Sequence, residues 1–344
     1  MAIVSIPDPE KVITLGISSC LLGQKVRYNG GHKRSSFCVN TLDRFFHFEP
    51  VCPEMAIGLG TPREPIRLVG ELAEPQETKS LQLMSSSDPQ KALKVRVVGT
   101  ETASLDVTDA LEKFGHEKAA TLKGISGYVL MQKSPSCGME RVKVYHENGH
   151  PLGESSPGAY AKVLMEEKPL LPIEEEGRLH DPVLCENFFT RVYAYHRWQT
   201  MVLQKPSYKA LGDFHSTHKY MLMAHYPQGY EELGQIVAKG RQLPLEELLD
   251  EYFTHFMQAL KRRANRKSHT NAMMHILGYV KKTVDSKERN QFLTLVEEYR
   301  QQMVPLIAPM TMLRHFVENH GSDYIKSQTY LNPHPDQLGL RNQI

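Results

Sequence analysis

The chain is poor in cysteine, with five in 344 residues, and contains no Cys-x-x-Cys pair. So few thiols exclude a disulfide-built scaffold, and spacing alone names no metal. A long apolar run is also missing, which excludes a helical membrane span. The first residues, Met1 to Asp8, lack the basic start and apolar block of a secretory leader, so a cytoplasmic protein with reduced thiols is expected. Internal repeats and low-complexity stretches are absent, and a net charge of +2 implies no strongly polyionic character. The charge is uneven, however: residues 1 to 179 sum to −2 and residues 180 to 344 to +4. That bias favours a polyanion partner for the second half.

A chain of this length suits two cores, with a first domain at 1 to 170 and a second at 180 to 335. In the first half, β-rich runs at 12 to 18, 46 to 52, 94 to 98 and 125 to 131 alternate with a helical stripe at 104 to 122. Strand, helix and strand over 94 to 131 predict a parallel βαβ unit, and hence an α/β domain with a mostly parallel sheet and flanking helices. A helix at 156 to 167 closes it. Residues 168 to 179, with two prolines, a glycine and an acidic run, read as an extended connector. Beyond it, helices punctuated by Pro206, Pro227, Pro244 and Pro305 predict an all-α domain. The last dozen residues read as a loose tail.

Three cysteines stand in unusual settings: Ser19-Cys20-Leu21-Leu22-Gly23, Val51-Cys52-Pro53-Glu54 and Lys133-Ser134-Pro135-Ser136-Cys137-Gly138. Cys20 and Cys137 follow predicted strands and Cys52 ends one, and in open α/β sheets ligands gather at the carboxyl ends of strands. Thiolates are soft donors suited to iron-sulfur clusters or zinc, and three are one short of a closed site. Either an iron keeps an open corner, or His32 or Glu54 completes a tetrahedral zinc. Cys38 and Cys185 read as ordinary buried side chains. Arg27 and Tyr28 open a polar, glycine-rich loop through Lys33 that suits either a solvated turn or a substrate. Glu54, or Glu49 upstream, is the candidate acid-base, and the Ser134 and Ser136 hydroxyls are candidates to orient substrate or water. In the second half Lys261, Arg262, Arg263, Arg266 and Lys267 put five cations within seven residues, either a solvated helix end or an RNA contact.

These three loops, together with Val26-Arg27-Tyr28-Asn29-Gly30-Gly31-His32-Lys33 and Gly58-Leu59-Gly60-Thr61-Pro62-Arg63, resemble those of the bacterial thiouracil desulfidase family, in the longer form with a helical C-terminal domain similar to tRNA 4-thiouridine desulfidases. The resemblance covers essentially the whole chain. It implies a [4Fe-4S] cluster held by Cys20, Cys52 and Cys137 with one iron free of protein ligand. Non-redox release of sulfide from 4-thiouridine in tRNA would follow, with Glu54 and Ser134 as catalytic groups and Arg27, Tyr28, Ser136, Lys261, Arg262 and Arg263 on the substrate. Desulfuration of free thiouracil, and an RNA-binding module with a structural zinc, are the competing expectations.

Overall fold

The structure, a computed structural model, describes residues 13–72, 93–102 and 104–342. Among the described residues eight strands are arranged in two four-stranded sheets. The first sheet holds β1 (Ile13–Ser18), β2 (Phe46–Val51), β5 (Ile125–Leu130) and β8 (Ile173–Glu175) in the order β2-β1-β5-β8, with every neighbouring pair parallel. The second holds β3 (Ile66–Leu72), β4 (Leu93–Gly99), β6 (Val142–Tyr145) and β7 (Pro151–Ser156) in the order β4-β3-β6-β7, and only β3 and β6 run parallel.

The parallel sheet sits where the sequence is apolar without alternation. All six residues of β5 are buried, as a central strand covered on both faces requires. Its close packing shows at Gly16 of β1, where a Cβ would collide with the Tyr128 ring of β5. One face packs on α2 (Thr108–Thr121) and α3 (Ala159–Glu167), through Ala119, Leu122, Tyr160 and Leu164. The other packs on α4 (Pro182–Trp198), whose Phe188, Phe189 and Val192 meet Ile13, Leu15, Ile17 and Phe46. This helix begins on a proline, and its Asp181 cap accepts from the Val183 and Leu184 amides.

The structure departs from the sequence expectations in three places. The run 94 to 98 is a strand, but it belongs to the second sheet and pairs antiparallel with β3, so 94 to 131 is no parallel βαβ unit. Lys94 and Arg96 alternate with valines along β4, a half-solvated pattern that suits a mixed sheet and not a doubly covered one. The final segment is not a loose tail either. Leu338 and Leu340 are buried in the cluster that contains Leu15 and Phe188, and Arg341 donates to Glu186 and to the Tyr330 carbonyl. Gly339, at φ +65, makes the turn that places both leucines inward. Strands β3, β6, β7 and β8 were not anticipated; β8 lies inside the stretch 168 to 179 read as a connector.

Beyond α4 the chain is helical: α5 (Tyr208–Thr217), α6 (Lys219–His225), α7 (Pro227–Lys239), α8 (Leu245–Lys261), α9 (Arg266–Val280), α10 (Ser286–Arg300) and α11 (Ile307–His320). Leu249, Tyr252, Phe253, Phe256 and Leu260 form one stripe of α8 at three- and four-residue spacing, and it packs on Trp198 and Phe214. Among the described residues no helix is long and apolar enough to cross a membrane.

Candidate metal centre and active site

Cys20, Cys52 and Cys137 follow β1, β2 and β5, three adjacent strands whose carboxyl ends share one edge of the sheet. Neighbouring strands lie about 4.8 Å apart, so the three loops spring from a strip about 10 Å wide. Cys20 sits in a tight turn, Ser19–Leu22, and its carbonyl accepts from the amides of Gly23 and Lys33, which folds the basic loop back over it. Cys52 precedes a single helical turn begun by Pro53. Cys137 is held by its amide donating to the Ser134 hydroxyl and by Gly138 donating to the Ser134 carbonyl. Gly158 presses on this bend so closely that a Cβ would stand 2.6 Å from the Ser136 carbonyl carbon. All three cysteines line a single cavity of about 910 Å³.

The donor set fits a cluster better than a single ion. Burial pushes the Cys20 thiol up to about 11, against the opposing pull of Arg27, and burial raises Cys52 and Cys137 as well. Such thiols ionise when a metal supplies positive charge beside them. Among the described residues no three His, Cys, Asp or Glu side chains stand close enough to share one metal ion. Thiolates on one zinc, with bonds of about 2.3 Å, must crowd together, whereas a cluster holds each on a separate iron. His32 does not line the cavity; it is turned to its own loop, where its Nδ1 accepts from the Arg34 amide.

Beside the thiols runs a polar chain with a defined direction. A Glu54 carboxylate oxygen accepts from Ser136 Oγ at 2.6 Å, and Ser134 Oγ lies 3.0 Å from Ser136 Oγ. A hydroxyl carries one proton, so Ser136, donating to Glu54, must accept from Ser134, which in turn accepts the Cys137 amide. Ser136 is therefore the direct partner of Glu54, and Ser134 stands one bond further out. The other Glu54 oxygen meets the Arg63 guanidinium, which also donates to the Val26 carbonyl at 2.9 Å and the Gly60 carbonyl at 2.7 Å. With 5% of its side chain exposed, Arg63 ties two of the loops to the carboxylate. Glu49 points elsewhere: it pairs with Lys118 of α2 at 2.6 Å and does not line the cavity.

Arg27 and Tyr28 line the same cavity, with Tyr28 41% exposed at its mouth. Lys261, Arg262 and Arg263 do not. Lys261 donates to the Pro169 carbonyl, Arg262 lies 3.6 Å from the centre of the Tyr226 ring, and Arg263 is exposed near the end of α8. Sequence reasoning passed over Arg63 as a partner of Glu54, and over Glu175 and Glu176. Glu175 accepts from the Met139 amide, just past Cys137, and Glu176 accepts from Ser35 Oγ in the loop after Cys20. Glu175 ends β8 and Glu176 follows it, so a short strand braces two cysteine loops. Its signal was an acidic run beside two prolines, which reads equally as a linker. The opposite wall contributes Arg67 of β3, Lys143 and Tyr145 of β6, and Arg141 just before β6.

A family model described as 2-thiouracil desulfurase matches residues 15–176, and one described as a protein of unknown function (DUF1722) matches residues 219–335. The chain is 31% identical over 156 residues to the uncharacterized protein YbgA of Escherichia coli (strain K12), covering 44% of this chain and 90% of that protein. It is 28% identical over 122 residues to the uncharacterized protein YbbK of Bacillus subtilis (strain 168), covering 36% of this chain and 71% of that one. A solved structure of TudS, a [4Fe-4S]-dependent thiouracil desulfidase, is 26% identical, with 49% of this chain and 94% of that chain covered and a TM-score of 0.34.

Proposed function

Because this chain belongs to the 2-thiouracil desulfurase family through residues 15–176, we propose that it removes sulfur from a thiolated pyrimidine without net electron transfer, converting 4-thiouridine in tRNA to uridine. One observation carries this reading: three soft donors and the Glu54–Ser136 pair line the same cavity. Cys20, Cys52 and Cys137 would hold a [4Fe-4S] cluster, which supplies a soft Lewis acid for the substrate's sulfur at an iron the protein leaves free.

The protein's own groups supply the proton handling. Water adds to the thiolated ring carbon, and Glu54 takes its proton; the carbon-sulfur bond then breaks, and the sulfur leaves as sulfide. The balance is a thiocarbonyl plus water giving a carbonyl plus hydrogen sulfide, so no oxidant or reductant is needed. Ser136 fixes the Glu54 carboxylate from one side and Arg63 from the other. Ser134, which lies beside Ser136, is the group that hydrogen-bonds water or substrate in this reading. Arg27 and Tyr28 form the rim over an entering base. A base within folded tRNA must be turned out of its stack to reach the thiols, at a cost of about a few kcal/mol, which further contacts with the RNA would offset.

Free thiouracil is the second reading, favoured by the description of the matching family. Protein purified without oxygen should be brown, contain iron and sulfide, and release sulfide from 4-thiouridine-containing tRNA faster than from free thiouracil. The opposite order of rates makes the free base the substrate. Colourless, zinc-loaded protein without sulfide release sinks both enzyme readings and leaves an RNA-binding module.

A further inference from the structure

The cavity is far more basic than the chemistry at its thiols requires. Besides Arg63, six cationic side chains line it: Arg27, Lys33, Arg67, Lys133, Arg141 and Lys143. The two carboxylates on its lining are already engaged. Glu54 meets Arg63 and Ser136, and Glu64 accepts from the backbone amides of Glu101 and Thr102. Among the described residues only Arg141 of the six reaches a carboxylate, Glu140 at 3.3 Å, with 75% of the arginine side chain in solvent.

Arg67 and Lys143 make this excess costly. They immediately precede Leu68 and Val144, which are partners on the parallel strands β3 and β6, so the two cations stand side by side on one sheet. Like charges in that relation repel, and a cleft with low-dielectric walls concentrates the field they make. The Arg67 guanidinium is held by the Glu147 carbonyl at 3.2 Å, while its Nε is buried without a partner. An anion lodged against this wall removes the repulsion.

The basic segment at the end of α8 is built differently. Lys261 is bonded to Pro169, Arg262 lies on Tyr226, and Arg266 donates to the Tyr299 carbonyl at 2.7 Å. Three of its five cations thus have partners within the chain, although Lys261 and Arg262 are as exposed as Arg263 and Lys267, which make no such contact among the described residues.

Resting on the desulfidase reading, we infer that the phosphates flanking the thiolated base are bound by the wall of the second sheet, through Arg141 and Lys143 with Arg67 behind them, and not by residues 261 to 267. The shared chemistry is a phosphate next to the base, supplied either by a mononucleotide or by the tRNA backbone. Binding of unmodified tRNA to the full-length protein, measured by fluorescence anisotropy across a salt series, tests this without turnover. In the double variant Arg141→Gln with Lys143→Gln, the slope of log affinity against log salt should fall by about 2, one for each phosphate left without its cation. Arg263→Gln with Lys267→Gln should leave the slope unchanged. An unchanged slope in the first variant, or a lowered slope in the second, overturns the assignment. Uridine monophosphate as competitor separates the sources: its affinity drops in the first variant if one phosphate is read, and stays constant if the contacts belong to the polynucleotide. If the slopes behave as expected but no thiolated substrate releases sulfide, the desulfidase reading fails and the phosphate wall stands. Normal sulfide release with unaltered slopes rejects the wall alone.

Discussion

The helical half and the α/β half bury their apolar side chains in opposite ways. In the helical half one continuous core runs from Ala194 and Trp198 through Phe214, Tyr252 and Phe256 to Phe316 and Leu331. In the α/β half the apolar residues divide into three smaller clusters, one on each face of the parallel sheet and one under the second sheet. The cysteine cavity opens between the carboxyl edge of the first sheet and the wall of the second. A cavity lined with thiols, carboxylate and cations cannot also be a packed core, because each of those groups needs partners or solvent. The half that carries the chemistry therefore gives up packing at that edge, and α4 and the C-terminal strap supply replacement cover on one face of the sheet.

That contrast is open to attack at its strongest point first. Alanine at Cys20, Cys52 or Cys137 should abolish both the broad visible absorption of anaerobically purified protein and its sulfide release. Alanine at Cys38 or Cys185, which sit in the apolar cluster and not on the cavity, should leave the absorption in place. Loss of colour in the second pair as well would show that the cavity does not define the cluster ligands. Next, Glu54→Gln should slow turnover by about 10² to 10⁴-fold with the absorption retained, as for removal of a general base. Glu49→Gln breaks only a partly exposed pair with Lys118, so turnover should stay near the wild-type value and stability should change by about 1 kcal/mol or less. A larger loss with Glu49 than with Glu54 would move the acid-base role off the cavity.

In the helical half the expected cost is to stability. Phe256→Ala should lower unfolding free energy by about 3 to 5 kcal/mol in denaturant titration while sparing the cluster absorption. The same half carries a pH dependence through its buried histidines. Burial holds His215 down to about 4 and His218 down to about 3, with Lys219 and Arg197 adding to the depression. Both are neutral in the folded protein and take up protons on unfolding. Their stabilising contribution is complete above the ordinary imidazole value near 6.5 and declines as pH falls from there toward about 4. Thermal midpoints recorded between pH 7 and pH 4 should fall over that window, and phenylalanine at His215 should flatten the decline. A midpoint independent of pH would show that these rings are not buried neutral.

Much of the architecture was legible in residue order. Strands β1, β2 and β5, and the helices from α4 to α11, follow local apolar patterning and proline punctuation closely, and the three cysteine loops stand out by their glycine and proline neighbours. The sheet to which β4 belongs was not legible, although Lys94 and Arg96 already marked it as half-solvated. Strand β8 was hidden too, since three residues carry no period of their own. Where cations gather in space was not legible either. Cations counted along the chain point to 261 to 267, while those gathered around the cavity come from positions as far apart as Arg27 and Lys143.

By its own residues the chain determined strands β1, β2, β4 and β5, the helical character of the second half and which cysteines stand in glycine- and proline-bent loops, because those properties depend on neighbours a few positions away. Only the tertiary structure decided that Glu54 and not Glu49 faces the cavity, that Ser136 separates it from Ser134, and that the second sheet supplies a cationic wall. Each of those depends on which strands lie side by side and which way their ends point, and strand order is settled by long-range packing that no local pattern encodes.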